Sequence, residues 1–300
     1  MDDFLFFIEV LVGGLLAGSL YALVALGFVL IYKASSVFNF AQASFVFFAA
    51  MTLVGVMEFA VPIWIAVPIA IGVMVVVGMA TERLVLRPLL GQREETLLMA
   101  TIGLAFIIEG LAQAVWGVEV RRLDHGVSSE PIGWAMDRFG ILISKLDMLA
   151  AIVAWILVAV LALLFSRTKV GKGLRAVADD TTAALSIGIP LSHIWMLVWA
   201  TAGFVALAAG MLWGARNGVQ FALVELALKA LPVMIIGGFT SVPGVVVAGL
   251  MVGAFESVTE FYIGPLVDGG IDAWTPYALA VVFLMFRAEG LFGEKIIRRV

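Results

Sequence analysis

The stretch from Leu5 to Tyr32, LFFIEVLVGGLLAGSLYALVALGFVLIY, decides the architecture. It carries one charged residue, Glu9, and is otherwise apolar, aromatic or small. A bilayer core about 30 Å thick is crossed by a helix of about 20 such residues. The segment therefore predicts a membrane-spanning helix. It is too long for a secretory signal, and its flank, Asp2 and Asp3, is acidic where a signal peptide is basic. Gly14, Gly18 and Ala22 recur at four-residue spacing on one face. Such small-residue stripes let helices approach closely in lipid.

The same unit repeats along the chain. Spans are predicted at Val37–Met57, Ile63–Thr81, Thr96–Trp116, Asp147–Phe165, His193–Gly214, Phe221–Gly237, Gly244–Tyr262 and Trp274–Phe286. Phe221–Gly237 is the weakest of the nine, being short and holding Glu225, Lys229 and Pro232. If it is a re-entrant half-helix, eight spans are left. The 300 residues are 63% apolar and 13% charged, whereas soluble globular chains run at about 45–50% and 25%. A soluble fold would expose apolar patches far beyond the few hundred Å² that monomers tolerate. The predicted fold is all-α, a polytopic transmembrane bundle of eight or nine spans.

Composition also excludes functions. With no cysteine there is no disulfide scaffold, zinc ribbon or thiol nucleophile. Two histidines, His125 and His193, make a histidine-rich metal site an unpromising reading. A net charge of −4 offers no basic footprint for nucleic acid. No G-x-x-x-x-G-K-[ST], H-E-x-x-H or G-x-S-x-G occurs, so the chain has no P-loop, zincin site or nucleophile elbow.

Cytoplasmic loops of membrane proteins are enriched in Lys and Arg. With the N-terminus outside and nine crossings, twelve cations lie inside and five outside, with Lys229 within the seventh segment. This predicts a periplasmic N-terminus and a cytoplasmic C-terminus. The outside loop Gly117–Leu146 is the exception, and a short surface helix or hairpin is expected within it.

Polar residues inside spans are informative because each charge costs about 2.5–3.5 kcal/mol on insertion scales. Four places stand out. Asn39 and Gln42, with Ser44 following, open the second span and would share one face of a helix. They read either as a serine-capped helix start with interhelical hydrogen bonds, or as a polar strip bordering a pathway. Thr101 and Glu109 lie in the fourth span, where Glu109 has no cation within a helical turn and must face a cavity or a partner helix, or be protonated. Gly237-Gly238-Phe239-Thr240-Ser241-Val242-Pro243-Gly244 interrupts two apolar runs. It reads as a tight turn or as a gate element built on Gly237, Gly238, Thr240 and Ser241, since glycine-interrupted segments point to transport pathways. The fourth is the segment 166–192, a broken amphipathic pattern that Gly188 and Pro190 stop. Its Asp179-Asp180 pair opposes a purely lipid-seeking face, so docking to a soluble partner is expected.

Taken together these motifs resemble one family. GLLAGSLYALVALGFVLIY at Gly14–Tyr32, followed by Asn39-Phe40-Ala41-Gln42, is similar to the opening of LivH-type permeases of bacterial branched-chain amino acid ABC importers. The likeness continues through Arg87-Pro88-Leu89, Thr101-Ile102-Gly103-Leu104, GLRAVADDTTAALSIG at Gly173–Gly188, Ile236-Gly237-Gly238 with Ser241 and Gly244, and the closing Arg287 and Gly290-Leu291-Phe292-Gly293. The resemblance implies one transmembrane permease domain over 1–300, with 166–192 as a cytoplasmic coupling segment. It implies a LivM-type second permease, two cytoplasmic ATPases that bind the ATP, and a periplasmic solute-binding protein. The permease itself needs no cofactor. Gly173, Arg175, Ala178, Asp179, Asp180, Ala184 and Gly188 fall on the family's coupling helix. Asn39, Gln42, Ser44, Thr101 and Glu109 become the expected pathway. One departure stands out: the family pattern has Gly and an acidic residue where this chain has Ala43 and Ser44. Relatives of this kind also move urea, short amides and other small solutes.

The residues leave a second reading open, a self-sufficient secondary transporter or channel for a small polar solute. Glu109 and Glu256 are its candidate ion-binding carboxylates. An integral membrane enzyme is disfavoured, because no catalytic constellation is found.

Overall fold

The computed structural model of the protein describes residues 2–89, 91–123, 126, 128, 130–179, 181–287 and 289–293. Among them there is no strand, only two isolated bridges, Arg121 with Val219 and Pro131 with Ser144. The helices are α1 (Asp2–Ser35), α2 (Gln42–Glu58), α3 (Ile63–Ala80), α4 (Glu94–Trp116), α5 (Gly133–Phe139), α6 (Lys145–Arg167), α7 (Lys169–Asp179), α8 (Thr181–Ser186), α9 (Leu191–Asn217), α10 (Ala222–Leu228), α11 (Ala230–Gly237), α12 (Val242–Tyr262) and α13 (Thr275–Phe286). Six are long and apolar enough to cross a membrane: Phe4–Ser35, Ile63–Leu89, Glu94–Trp116, Lys145–Arg167, Leu191–Asn217 and Val242–Leu266. Gln42–Glu58 and Thr275–Phe286 are apolar but shorter.

Helix therefore covers every predicted span, with two local differences. The second helix starts at Gln42, not Val37, because Ser36 turns the chain with φ +54° and residues 37–41 stay irregular. The seventh segment is split at Lys229 into α10 and α11. The loop after α4 contains the expected short helix, α5, beside the Pro131–Ser144 bridge. There Lys145 Nζ donates to Glu130 Oε2 at 3.2 Å, and this bond holds the exposed Glu130 carboxyl below the usual carboxylate range.

The chain folds into two compact units. The first comprises 1–25, 126–157 and 229–300. Here Gly14 and Gly18 of α1 lie against the backbone carbonyls of Gly253 and Gly249 of α12, so a Cβ at either α1 glycine would strike backbone. This is the close helix crossing that the glycine spacing predicts. α11 packs on α12 and α13. Trp155 Nε1 of α6 donates to Ser19 Oγ of α1 at 3.1 Å, which satisfies a polar tip in an apolar setting.

The second unit comprises 26–125 and 158–228. Its centre is α2, buried from Gln42 to Gly55 except at Phe48 and packed on α3, α4, α9 and α10. Seventeen residues span only about 26 Å at 1.5 Å per residue. A helix sheathed by protein need not match the bilayer. Its small residues admit close neighbours: Gly210 of α9 rides on the Val46 carbonyl and Ala50, and the Trp116 ring covers Gly55. Phe45 meets Trp199 edge-on, with ring centroids 6.2 Å apart. α3 runs on through a π turn, Thr81–Leu86, into a short 3-10 turn at Arg87–Leu89. Fully buried Glu82 there accepts from Arg87 Nε at 3.1 Å and Nη2 at 2.9 Å, a bidentate pair that closes the helix end.

Candidate functional site

All five expected pathway residues lie in the second unit, where they form two adjacent hydrogen-bonded groups. The first holds the irregular segment between α1 and α2. Asn39 is not helical. Its Oδ1 accepts from Ala41 N at 3.2 Å, the side-chain-to-backbone bond that lets Asn compete with helix. Thr101 Oγ1 of α4 accepts from Phe40 N at 3.2 Å, and its one proton is within reach of the Leu98 carbonyl at 2.9 Å and the Phe38 carbonyl at 3.0 Å. Gln42 Nε2 donates to the Ala202 carbonyl of α9 at 3.2 Å, and Asn39 Nδ2 reaches Gln42 Oε1 at 3.5 Å. The three side chains are buried, with Asn39 1% and Gln42 and Thr101 0% exposed. Every stray backbone group of the break at Phe38–Ala41 that these bonds reach would otherwise be unsatisfied in an apolar setting.

The second group is Ser44 and Glu109. Ser44 Oγ donates to Glu109 Oε1 at 2.6 Å, joining α2 to α4. Glu109 thus meets a partner helix, one of the settings open to a carboxyl with no local cation. Among the described residues Glu109 has no ion-pair partner and no second hydrogen bond.

The glycine-rich turn lies in the first unit. Gly238 has φ +102° and packs on the backbone of Gly290 and Gly293. Leu291 N donates to the Ile236 carbonyl at 2.7 Å and Phe292 N to the Gly237 carbonyl at 3.3 Å. Gly237 and Gly244 touch backbone to backbone, and Ser241 caps α12 by accepting from Gly244 N at 3.1 Å. The number of glycines, more than a turn needs, is explained by two close approaches: turn to α12, and turn to residues 290–293. Thr240 lies in the same turn, partly exposed.

The coupling residues divide among several roles. α7 is amphipathic, burying Leu174 and Val177. Gly173 sits close under the Ile194 side chain, Ala184 is buried, and Ala178 is exposed. Gly188, with φ +82°, ends α8 with its N–H on the Leu185 carbonyl at 3.0 Å, the helix stop read from the sequence. Arg175 Nη1 donates to the Phe165 carbonyl at 2.7 Å and Nη2 to the Ser166 carbonyl at 3.3 Å, so it caps the end of α6. Asp179 ends α7, while Asp180 lies outside the described residues.

One cluster was not assembled from the sequence. Lys229, at the break between α10 and α11, places Nζ 2.8 Å from Glu256 Oε1 and 2.9 Å from Asp272 Oδ2. Tyr21 OH also donates to Glu256 Oε1, at 3.0 Å. Lys229 and Glu256 are 6% and 8% exposed, and Glu256 Oε2 is buried with no partner among the described residues. Intramembrane charges of opposite sign at 229 and 256 were the available signal. Glu256 is thereby neutralised by a fixed ammonium, which leaves it poorly suited to bind a travelling ion. Among the described residues no group of acidic or histidine side chains is placed to hold a metal.

Comparison with known proteins fits this architecture. A family model described as branched-chain amino acid transport system / permease component matches residues 10–288. The high-affinity branched-chain amino acid transport system permease protein BraD of Pseudomonas aeruginosa is 26% identical over 311 residues, covering 100% of both chains. The corresponding protein LivH of Escherichia coli is 23% identical over 310 residues, covering 100% of this chain and 99% of that one. The probable branched-chain amino acid transport permease protein LivH of Methanocaldococcus jannaschii is 27% identical over 275 residues, 87% of this chain and 84% of that one. These are transport permeases and not enzymes. With apolar helices of membrane-spanning length and a match over nearly its whole sequence, the chain is a multi-pass membrane permease that belongs to the branched-chain amino acid transport system permease component family.

Proposed function

We propose that the chain is one of two permease subunits in an ABC importer of the inner membrane, moving branched-chain or related small amino acids. Urea- and amide-like solutes are the neighbouring class. The observation that carries this reading is the family match over residues 10–288 in a chain with no nucleotide-binding motif of its own. The energy source is then supplied by partners: two cytoplasmic ATPases, with a LivM-type second permease and a periplasmic binding protein completing the assembly. In this reading the helical segments make nine crossings, with the N-terminus periplasmic and the C-terminus cytoplasmic, or eight if the seventh is re-entrant, which moves one end to the other side. α7 and α8 are the coupling element. Leu185 and Ile187, apolar and exposed on and just after α8, support a docking face for an ATPase. Ser44 and Glu109 line the solute path, with Asn39, Gln42 and Thr101 as its buried wall. The turn at Gly237, Gly238, Thr240 and Ser241 is the cytoplasmic gate element.

The self-sufficient transporter is not favoured, because Glu256 is held by Lys229 and the relatives are components of multi-part systems. The test is reconstitution: the purified chain hydrolyses no ATP, and Asp180→Lys or Arg175→Glu weakens capture of the ATPase while membrane insertion is unchanged. ATPase capture indifferent to both changes would count against the coupling assignment.

A further inference from the structure

Pro232 accounts for the bend at Lys229. It has no N–H to give the Leu228 carbonyl four residues back, and its ring crowds that carbonyl. α10 accordingly ends at Leu228 and α11 begins at Ala230. Lys229 between them has φ −60° and ψ −14°, short of the helical ψ of about −42°. Interrupted helices mark the working parts of membrane transporters. Three distant segments close on this bend: Tyr21 of α1, Glu256 of α12 and Asp272 of the 3-10 turn Ile271–Ala273. All four residues belong to the first unit. An apolar pair packed here would be as stable as a buried ion pair, or more so. Stability alone therefore does not account for the charges, and function is the default reading of a charge inside a membrane. The cluster is also unevenly satisfied. One ammonium faces two carboxylates, and Glu256 Oε2 is buried with no partner among the described residues. The Asp272 side chain is 45% exposed, and its backbone N donates to Glu260 Oε2 at 2.9 Å. Lys229 thus has one dry hold, on Glu256, and one wet hold, on Asp272. From there α11 runs only eight residues, about 12 Å, to the glycine turn at Gly237. A change of angle at the bend is carried along this short rod to the turn.

We propose that Lys229 is an ionic clasp on a proline hinge: gripped by Glu256 and Asp272 it fixes the bend of the resting transporter, and its release lets α11 and the glycine turn move in the transport cycle. The proposal rests on the reading of the chain as an ATP-driven importer permease and adds how its gate is held. Lys229 is a positioning residue that acts through the bend; it does not touch the solute.

The test uses the assembled transporter, with its second permease and both ATPases, in lipid. ATP hydrolysis is measured with and without the loaded binding protein, and thermal unfolding is followed on the same samples. In the double variant Lys229→Met with Glu256→Met the unfolding midpoint stays close to that of the unaltered complex. Its hydrolysis without binding protein rises about fivefold or more, the low end of a typical allosteric coupling, so stimulation by the binding protein shrinks. Asp272→Asn, which removes only the wet hold at a half-exposed position, raises the same basal rate by less, and Lys229→Arg keeps it low. Pro232→Ala gives Leu228 its backbone bond back and stiffens the bend. Stimulated hydrolysis and leucine uptake then fall about fivefold or more with no drop in the midpoint. A purely structural cluster moves midpoints and leaves the basal rate alone. An unchanged basal rate in the folded double variant overturns the proposal, as does an unchanged rate in Asp272→Asn should the double variant not fold. Full uptake by Pro232→Ala also overturns it. Failure of the unaltered complete system to import any amino acid would overturn the importer reading itself.

Discussion

Lys229 Nζ lies 2.8 Å from Glu256 Oε1, and this buried pair stands where α10 breaks into α11. Asp272 shares the ammonium at 2.9 Å and Tyr21 shares the carboxylate at 3.0 Å. Removing one partner strands a charge where water is scarce. Lys229→Met is therefore expected to destabilise the chain by about 3–5 kcal/mol, the cost of breaking a buried pair. The double change Lys229→Met with Glu256→Met loses less than the single one, because no charge is orphaned. Thermal unfolding of the detergent-purified variants checks this, and equal loss in both would contradict it.

The crossing of α1 and α12 makes a sharper steric prediction. A Cβ at Gly14 meets Gly253 backbone, whereas one at the neighbouring Gly13 meets nothing within 4 Å. Gly14→Leu is expected to cost at least the 1–3 kcal/mol typical of overpacking, and Gly13→Leu to be close to neutral. Midpoints of thermal unfolding for the two variants give the comparison.

Thr101 both accepts from Phe40 N and donates to a carbonyl, at full burial. Thr101→Val keeps the shape and removes the hydroxyl, leaving the part-buried Phe40 N–H bare, at about 1–3 kcal/mol. Thr101→Ser keeps the hydroxyl and is expected to lie within 1 kcal/mol or so of the original. The same burial predicts labelling behaviour in this cysteine-free chain. Gln113→Cys, in the wall of a cleft, reacts with a water-soluble thiol reagent. Asn39→Cys, 1% exposed in the native residue, reacts only if transport opens the segment.

Six long apolar helices stand where spans were expected, because hydrophobic length is a local property of sequence. The glycine stripe of α1 also told the truth, since only close backbone contact rewards that spacing. Other features depend on distant partners. The split at Lys229 follows from carboxylates at 256 and 272, which lie 27 and 43 residues away. The late start of α2 follows from Asn39 bonding its own backbone and from Thr101 of α4 holding Phe40. Gly238 needed Gly290 and Gly293, at the far end of the chain, to explain it. Glu109 was visible as an isolated charge, but only the fold could pair it with Ser44. Arg175, expected on the coupling helix, also caps the end of α6, a role that only the fold shows.

That capping role separates two effects on the cytoplasmic side. Ile187→Asp, at a 75% exposed position, is expected to reduce ATPase co-purification severalfold without lowering the unfolding midpoint. Arg175→Glu is expected to lower the midpoint as well, because the Phe165 and Ser166 carbonyls lose their donor. Parallel pull-down and unfolding measurements distinguish the two.

This permease is expected to move solute only within an ATP-driven assembly. Uptake of radiolabelled leucine into proteoliposomes tests it most directly. Uptake is expected when the chain is joined by its second permease, both ATPases, ATP and the loaded binding protein, and none from the chain alone under any proton or sodium gradient. Gradient-driven uptake by the chain alone would contradict it.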